Sequence, residues 1–283
     1  MVTISQAAQL TGVAEHTLRA WERRYGVFQP ARTRGGYRDY GDEALHRIRA
    51  MQHLVASGLP PREASAELLR RGGAEPAGEP DSAAELIASL AQLDATVAQR
   101  IIDEQFALRS YEAVVDDWLM PTLVRVGEAW ASGTISEAGE HLVANVVMRR
   151  LAAAFDAVGP NPPTPPAIVG APVGVTHELG LLAFAVALRR AGVATIYLGA
   201  DVPAPAWADA VATTSAVISI TAIPRRADAR RVAALAHLLQ TTHPSVPLAV
   251  GGRFQHLAPP DARQLGHRIA AAAQNVSRSI AAP

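Results

Sequence analysis

The stretch Gly174-Val175-Thr176-His177-Glu178-Leu179-Gly180 lies between two apolar segments of different character. The segment before it, 167–171, is short enough for a buried strand, whereas 181–188 is a longer run that favours a helix. A loop of this kind lies at the carboxyl end of its strand, where open α/β sheets bind ligands. His177 can offer a neutral imidazole nitrogen to a metal there, although a lone loop histidine is more often only a surface polar residue.

Two further motifs end predicted strands in the same part of the chain. Ser219-Ile220-Thr221 ends one apolar run, and Gly251-Gly252 ends the next. Because the carboxyl ends of parallel strands share one edge of a sheet, we expect all three motifs to lie close together. Strands alternate with helix-like segments, which is typical of a doubly wound parallel sheet. The predicted strands are 167–171, 194–198, 216–220, 247–250 and 267–270.

Residues 1–72 have the pattern of a small helical unit followed by a hairpin. Two helices joined by a tight turn at 11–13 form a helix-turn-helix pattern. Gly35-Gly36 is typical of a hairpin tip. The segment holds 11 arginines against 7 acidic residues, which suits a polyanionic partner. The predicted shared core consists of Leu10, Val13, Leu18 and Trp21.

This segment contains two arginine-rich motifs, Leu18-Arg19-Ala20-Trp21-Glu22-Arg23-Arg24-Tyr25-Gly26 and Arg32-Thr33-Arg34-Gly35-Gly36-Tyr37-Arg38. Together they resemble the MerR family of winged-helix regulators; a solvated arginine face on another small helical domain is the simpler alternative. The resemblance implies that the second helix enters the major groove of double-stranded operator DNA and that the wing grips phosphates. The residues expected at DNA are His16, Thr17, Arg19, Arg23, Arg32, Arg34, Tyr37 and Arg38.

Two linkers separate this unit from the rest of the chain. Residues 73–81 are rich in Gly, Pro and charge, and five prolines stiffen 159–166. Between the linkers, 82–158 is predicted to form a four-helix bundle. Thr134 and Glu137 have the spacing of a capping box at the start of the fourth helix. The predicted helices are 82–90, 95–108, 111–131 and 134–157.

Trp130 lies at the end of the third predicted helix, and Glu140-His141 lies two turns into the fourth, so all three can face one space. The ordinary interpretation is that Trp130 fills the core and that His141 pairs with Glu137 one turn earlier. However, the pattern is similar to the helical cap over cobalamin in light-sensing MerR proteins of the CarH/LitR class. The resemblance implies that Trp130 and Glu140 cover the upper, adenosyl face of the corrin, with His141 nearby.

The three strand-end motifs together resemble the cobalamin-binding module, which implies a Rossmann-like (flavodoxin-like) domain. They also imply adenosylcobalamin as the cofactor, with His177 as the lower axial ligand of cobalt. The acidic residue that usually precedes the histidine by two positions is Val175 here. We therefore expect weaker ligation than is usual in the family, unless a backbone carbonyl or Glu178 substitutes. The other residues expected at the corrinoid are Thr176, Gly180, Asp201, Ser219, Thr221, Gly251 and Gly252.

Composition sets broad limits. Apolar residues make up 49% of the 283 residues, and 26 cationic residues, all arginines, balance 26 acidic ones. The absence of cysteine excludes disulfides, thiolate metal sites and a thioether-linked chromophore. No apolar run reaches the roughly 18 residues of a membrane helix, and the first residues lack the features of a signal peptide. We expect a cytoplasmic protein with no membrane partner.

These features predict a multidomain chain with a winged helix-turn-helix domain (1–72), a four-helix cap (82–158) and a Rossmann-like domain (167–283). The resemblance implies a cobalamin-dependent, light-responsive repressor. Such a repressor binds its operator in the dark as a dimer or tetramer and releases it on photolysis of adenosylcobalamin. The alternative is a regulator of the same fold without cobalamin, whose pocket is empty or holds another tetrapyrrole such as a bilin. An enzyme would need a substrate domain, for which these modules leave no room.

Overall fold

The computed structural model describes two compact units, which divide the chain after Asp81. The predicted hairpin tip Gly35-Gly36 and all of the predicted linker 73–81 except Asp81 lie outside the described residues. None of the described helices is long and apolar enough to cross a membrane. The described residues are 2–28, 30–32, 38–56, 60–65 and 81–281.

The first unit contains the predicted helix-turn-helix. Thr3 caps its first helix together with Gln6, and Gly12 ends that helix in the left-handed conformation (φ 70°), which allows the tight turn. Val13, Leu18 and Trp21 are buried as predicted, but Leu10 is 54% exposed, so its assignment to the core is wrong. The buried residues of the first helix are Ala7 and Thr11. The elements are α1 (Ile4–Thr11), α2 (Glu15–Tyr25), the antiparallel strands β1 (Ala31–Arg32) and β2 (Arg38–Asp39), and α3 (Asp42–Ala56).

The second unit begins with the predicted helices, with two differences. The third helix contains a π-helical turn, and the fourth begins at Glu137 instead of Thr134. Ser136 caps the fourth helix by accepting a hydrogen bond from the Gly139 amide. The predicted capping box is therefore wrong, because the Thr134 amide donates to the Ala129 carbonyl in the tight connection between the helices. The elements are α4 (Ser82–Ala91), α5 (Ala95–Leu108), α6 (Tyr111–Val114), the π-helical turn (Val115–Leu119), α7 (Met120–Ala131) and α8 (Glu137–Ala157).

A five-stranded parallel sheet with strand order β4-β3-β5-β6-β7 follows. The predicted strand at 267–270 is wrong, because the last strand is shorter and earlier and Ile269 begins a helix. The strands are β3 (Ala167–Pro172), β4 (Thr195–Val202), β5 (Ile218–Ala222), β6 (Leu248–Gly251) and β7 (Arg263–Gln264). The helices between and after them are α9 (Leu179–Arg190), α10 (Ala204–Thr214), α11 (Ala229–Thr242) and α12 (Ile269–Ala281).

The bundle and the sheet share one apolar core. The buried side chains of α4–α8 and those of α9, α12 and one face of the sheet form a continuous cluster. At this contact the Tyr111 hydroxyl donates to the Ala183 carbonyl at 2.8 Å. The guanidinium of Arg190 donates to the Glu112 carboxylate at 2.7 Å, and this bond lowers the pKa of Glu112. The opposite face of the sheet packs against α10 and α11. The carboxyl edge of the sheet is thus held beside the helical bundle.

Candidate functional site

The sheet opens at the carboxyl ends of β3 and β5. Pairing between these two strands ends at Val169 and Ile220, although β3 continues to Pro172 and β5 to Ala222. On its other side, β3 stays paired with β4 as far as Pro172. The chain leaves β3 and β5 for opposite sides of the sheet order, which makes this crevice the topological switch point where α/β sheets bind ligands.

The loop after β3 presents His177 at this crevice. His177 and Thr176 are both exposed, and Gly180 lies exposed in the first turn of α9. Within the described part of the chain, neither ring nitrogen of His177 has a hydrogen-bond or ion-pair partner. Both nitrogens are therefore available to a ligand.

Asp201 anchors the start of the same loop. Its Oδ1 accepts a hydrogen bond from the Gly174 amide at 2.6 Å, and its own amide donates to the Val175 carbonyl at 3.2 Å. Asp201 takes a left-handed conformation (φ 58°) to make these contacts. The side chain of Val175 is fully buried in the apolar core. Val175 thus contributes packing and a committed carbonyl, but no partner for His177.

Glu178 is also committed elsewhere. Its Oε2 accepts a hydrogen bond from the Tyr197 hydroxyl at 2.7 Å. Burial, followed by this bond to a carboxylate, raises the pKa of Tyr197, so the hydroxyl remains a donor across the neutral range. The expected substitution of Glu178 for the missing acidic partner of His177 is not a contact of this structure.

Below the loop, Ser219 and Thr221 point from β5 towards α10. Both are fully buried. The indole Nε1 of Trp207 donates a long hydrogen bond to Ser219 Oγ at 3.4 Å. The Oγ1 of Thr221 is buried without any partner among the described residues. A buried hydroxyl without a partner costs free energy, so its position beside the crevice points to a ligand that supplies the missing bond.

Gly251 and Gly252 follow β6 at the same edge. A Cβ atom built on Gly252, which has φ 88°, would lie 2.8 Å from the Ile223 carbonyl oxygen. Gly252 is therefore explained by the turn itself. A Cβ on Gly251 would meet only ordinary contacts, the nearest being Leu265 at 3.6 Å. The fold itself does not require glycine at position 251.

Helix α7 runs from this edge into the bundle. A Cβ built on Gly180 would lie 4.0 Å from Sδ of Met120, so α7 begins beside the His177 loop. Trp130 lies ten residues further on, about 15 Å along the helix, and is 51% exposed. It does not fill the core, contrary to the ordinary interpretation of its motif. It remains open to a ligand.

The other two cap residues lie on α8. Glu140 is half-buried and His141 is exposed. The His141 ring lies 3.8 Å from both the Glu137 and the Glu140 carboxylates, too far for hydrogen bonds. The i,i+4 proximity of His141 and Glu137 is thus present but weak. No hydrogen bond joins Trp130, Glu140 and His141, and the 3.8 Å approach of His141 to Glu140 is the contact recorded among them.

Gly127 is a residue that the sequence motifs did not indicate. It lies in the middle of α7, one turn before Trp130, and a Cβ built on it would meet no atom within 4 Å. Glycine in a helix interior destabilises the helix by about 1 kcal/mol relative to alanine. The packing of the described residues gives no reason for this cost, and the glycine leaves this part of the α7 surface open. A mid-helix glycine was the available sequence signal.

These features fit a corrinoid. A corrin ring carries its own cobalt, so one protein ligand, His177, suffices. The described residues contain no cluster of three or more side chains that could hold a metal ion. The crevice and the unpartnered Thr221 hydroxyl suit an inserted nucleotide tail, while the exposed Trp130 and the open space at Gly127 suit a planar group above the edge.

The first unit presents arginines on α2. Arg19 and Arg23 are exposed one turn apart, with His16 exposed on the same face and Thr17 half-buried. Arg38 donates from Nε to Glu22 Oε1 at 2.9 Å, so this predicted DNA contact is engaged within the unit. Arg34, Tyr37 and the side chain of Arg32 lie outside the described residues.

Three family descriptions match the chain in succession. The MerR HTH family regulatory protein description matches residues 2–70. Two B12 binding domain descriptions follow, the first matching residues 82–154 and the second residues 165–276. The predicted fold class is thus confirmed: a MerR helix-turn-helix, a helical B12-binding region and a Rossmann-like parallel-sheet domain.

Two curated relatives match nearly the whole chain. The HTH-type transcriptional repressor CarA of Myxococcus xanthus is 34% identical over 256 residues, which cover 88% of this chain and 85% of CarA. The HTH-type transcriptional repressor CarH of the same organism is 32% identical, with 88% of each chain covered. The HTH-type transcriptional regulator MlrA of Escherichia coli strain K12 is 41% identical, but over only 21% of this chain.

Among solved structures, a Methanosarcina barkeri monomethylamine corrinoid protein superposes with a TM-score of 0.58. The match covers 69% of this chain and 96% of that protein at 15% sequence identity, so it concerns the fold alone.

Proposed function

We propose that this chain, which belongs to the family of MerR-type transcriptional regulators with two B12-binding domains, is a light-responsive repressor. Its relatives are regulators and not enzymes. The proposed effector is adenosylcobalamin. In the dark, the loaded protein assembles into an oligomer, a dimer or tetramer, that holds operator DNA. The cofactor, when bound, would supply a cobalt–carbon bond that light cleaves with release of the adenosyl group. The bundle then loses its upper-face contacts, the oligomer changes and the operator is released.

In this proposal each of the predicted site residues has its own role. His177 would hold the cobalt of the cofactor, and Ser219, Thr221 and Gly251 would receive the nucleotide tail. Thr176, Gly180 and Asp201 shape the rim of the site, while Gly252 holds the turn beside it. The upper face is covered by Trp130 and Glu140, with His141 nearby. The DNA contacts are His16, Thr17, Arg19, Arg23, Arg32, Arg34, Tyr37 and Arg38.

The observation that carries the proposal is the unpartnered Thr221 hydroxyl at the crevice between β3 and β5. It is fully buried, has no hydrogen bond among the described residues and lies where the two strands separate. A protein that used only an empty pocket would gain nothing from burying this group unsatisfied. The exposed, unpaired His177 ring above the same crevice supplies the ligand that cobalt needs.

The experiment is a cofactor titration followed by illumination. The purified chain is mixed in the dark with adenosylcobalamin or with biliverdin, and its absorption spectrum and mass by size-exclusion chromatography are recorded before and after light. We expect adenosylcobalamin to bind and to enlarge the dark oligomer, and we expect His177→Ala to give a base-off spectrum. Binding of biliverdin alone, or a spectrum unchanged in His177→Ala, would contradict the proposal.

DNA release is tested on the same samples. Binding to the promoter of the gene cluster that contains the protein's own gene is measured by mobility shift in the dark and after light. We expect the loaded dark protein to bind most tightly, and illumination to reduce the affinity. A mixture kept in the dark throughout is the control, and equal affinity before and after light would contradict the light response.

A further inference from the structure

Arg231 reaches across the crevice between β3 and β5. It lies in the first turn of α11, the helix that follows β5, yet its guanidinium lies against Gly174 in the loop that follows β3. A Cβ atom built on Gly174 would collide with Nε of Arg231 and lie 3.2 Å from its Cζ. Arg231 thus contacts the loop that contains His177, at Gly174, which precedes His177 by three residues.

The contacts of Arg231 leave one edge of its guanidinium free. Nη1 donates to the Ala227 carbonyl at 3.4 Å and approaches Asp228 Oδ1 at 3.5 Å. Nε and Nη2 have no acceptor within the described part of the chain. These two nitrogens form the side-on edge of the guanidinium, which binds an oxyanion through two parallel hydrogen bonds. The side chain as a whole is 43% exposed.

The charge of Arg231 is not needed to neutralise Asp228. The Asp228 carboxylate is fully buried and already accepts three hydrogen bonds from Arg225, from its amide at 3.2 Å, Nε at 3.1 Å and Nη2 at 3.3 Å. Arg231 makes the longer contact with it. Asp228 thus has two guanidinium groups beside it, and Arg225 makes the shorter contacts.

From this geometry, and resting on the proposed function, we propose that Nε and Nη2 of Arg231 bind the phosphodiester of the cobalamin nucleotide loop. That phosphate is the negatively charged group of the nucleotide loop. It joins the corrin ring, which the proposal sets above His177, to the tail, which it sets beside Thr221. Arg231 is then a binding residue that distinguishes complete cobalamins from corrinoids without a nucleotide.

The test compares cobalamin with cobinamide, which has the corrin ring but neither nucleotide nor phosphate. Affinities of hydroxocobalamin and aquocobinamide are measured by spectroscopic titration of the full chain, unchanged and as Arg231→Gln. The matched control is Arg230→Gln, which removes the same charge from the exposed neighbouring residue of the same helix. We expect Arg231→Gln to weaken cobalamin binding by about 10- to 100-fold and to leave cobinamide binding within about twofold, with no such selectivity in Arg230→Gln.

Arg231→Lys guards against a loss caused by misfolding. It keeps the charge but lacks the side-on edge, so we expect a smaller selective loss for cobalamin. Equal losses for both corrinoids, no loss for either, or the same selective loss in Arg230→Gln would each overturn the assignment. If the unchanged chain bound neither corrinoid, the proposed function itself would fall; binding of both without a selective effect of Arg231→Gln would overturn only this inference.

Discussion

Gly251 and Gly252 are adjacent, but different constraints act on them. Alanine at 252 combines a positive φ with a Cβ placed 2.8 Å from the Ile223 carbonyl oxygen. We expect Gly252→Ala to lower the free energy of unfolding by about 1–3 kcal/mol. Gly251→Ala meets only ordinary contacts and should change stability by less than about 0.5 kcal/mol. Urea denaturation of both variants without ligand tests this difference.

Corrinoid affinity should also distinguish these two variants, but here Gly251→Ala is the variant with the expected loss. Under the proposed function, the added methyl group of Gly251→Ala lies where the nucleotide tail approaches the backbone. Its corrinoid affinity should therefore fall while its stability stays close to that of the unchanged chain. Normal affinity in Gly251→Ala would mean that the tail does not reach this residue.

At the residue scale, the sequence predicts where a side chain lies in the fold better than it predicts the hydrogen-bond partners of that side chain. His177, Ser219 and Gly251 could be placed at one edge because each follows an apolar run of strand length. The commitment of Glu178 to Tyr197 could not be predicted, since 18 residues and a helix separate them along the chain. The unpartnered Thr221 hydroxyl and the position of Arg231 over Gly174 likewise depend on three-dimensional packing that no local pattern encodes.

Among the helices, α7 contains a glycine that destabilises the helix at a position where the proposed function places the ligand. Alanine at Gly127 removes a helix-interior glycine without a clash. We expect Gly127→Ala to raise the free energy of unfolding by about 0.5–1 kcal/mol. Under the proposed function, Gly127→Leu should weaken binding of adenosylcobalamin more than binding of cyanocobalamin, because the adenosyl group is the larger upper ligand. Equal effects on the two cobalamins would separate Gly127 from the upper face.

The π-helical turn before α7 fastens the bundle to the last helix of the sheet domain. Asp116 is almost completely buried and accepts hydrogen bonds from the amides of Ile269 (2.7 Å) and Ala270 (3.1 Å), the first residues of α12. Its charge also favours the positive end of that helix. We expect Asp116→Asn to lower the free energy of unfolding by about 1–3 kcal/mol.

Asp117 supplies the matched control for that prediction. Its side chain is 53% exposed, and it accepts a hydrogen bond from Arg268 at 2.8 Å. Exposed ion pairs contribute about 0–1 kcal/mol, so Asp117→Asn should have the smaller effect. Thermal and urea unfolding measure both variants. Equal losses would mean that charge in the turn, and not capping of α12, stabilises this contact.

The elements that sequence predicted incorrectly have related physical causes. The helix 111–131 could be predicted from its apolar spacing, but its π-helical turn could not, because the turn is stabilised by contacts with residues near 269. In the same contact the segment 267–270, which was predicted as a strand, contains the start of a helix at Ile269. Long-range capping outweighs local propensity at both positions.

At the scale of the whole molecule, DNA binding should depend on two kinds of arginine: exposed ones, and ones that already donate a hydrogen bond to a carboxylate of the same unit. Arg23 is exposed on α2, whereas Arg38 donates to Glu22. If both contact phosphates, Arg23→Ala should lower affinity and reduce the salt slope of binding by about one unit. Glu22→Gln should raise affinity at low salt, because it releases Arg38 from its internal partner. A weaker complex in Glu22→Gln would show that this carboxylate orients Arg38 for DNA.

The order of the modules could be predicted from local motifs, because each carries its own residues at fixed spacing. The extent of the second unit could not. The bundle and the sheet were predicted as separate domains joined by a proline-rich linker, yet they share an apolar core and the Glu112–Arg190 and Asp116–α12 contacts. Under the proposed function, a movement of the bundle after illumination would expose or rearrange part of this core, which bears on how long the changed state lasts.

Ala131 is expected to limit that duration. It is the exposed last residue of α7, directly after Trp130, where the best-known light-sensing proteins of the CarH type have a histidine. The resemblance implies that this histidine occupies the vacated upper position after photolysis and so holds the bundle displaced. Alanine has no donor atom, so we expect the light-induced change of oligomer in this chain to reverse sooner than in Ala131→His when fresh adenosylcobalamin is added in the dark.

The measurement is the mass of the adenosylcobalamin-loaded protein by size-exclusion chromatography, at intervals after a single illumination and readdition of cofactor. His141→Ala is the matched variant, because His141 is the other imidazole of the cap and is 68% exposed on α8. We expect His141→Ala to behave as the unchanged chain and Ala131→His to recover its dark mass more slowly. A long-lived change in the unchanged chain that is shortened by His141→Ala would assign the role to His141. Equal recovery in all three proteins would mean that no histidine of the cap holds the displaced state.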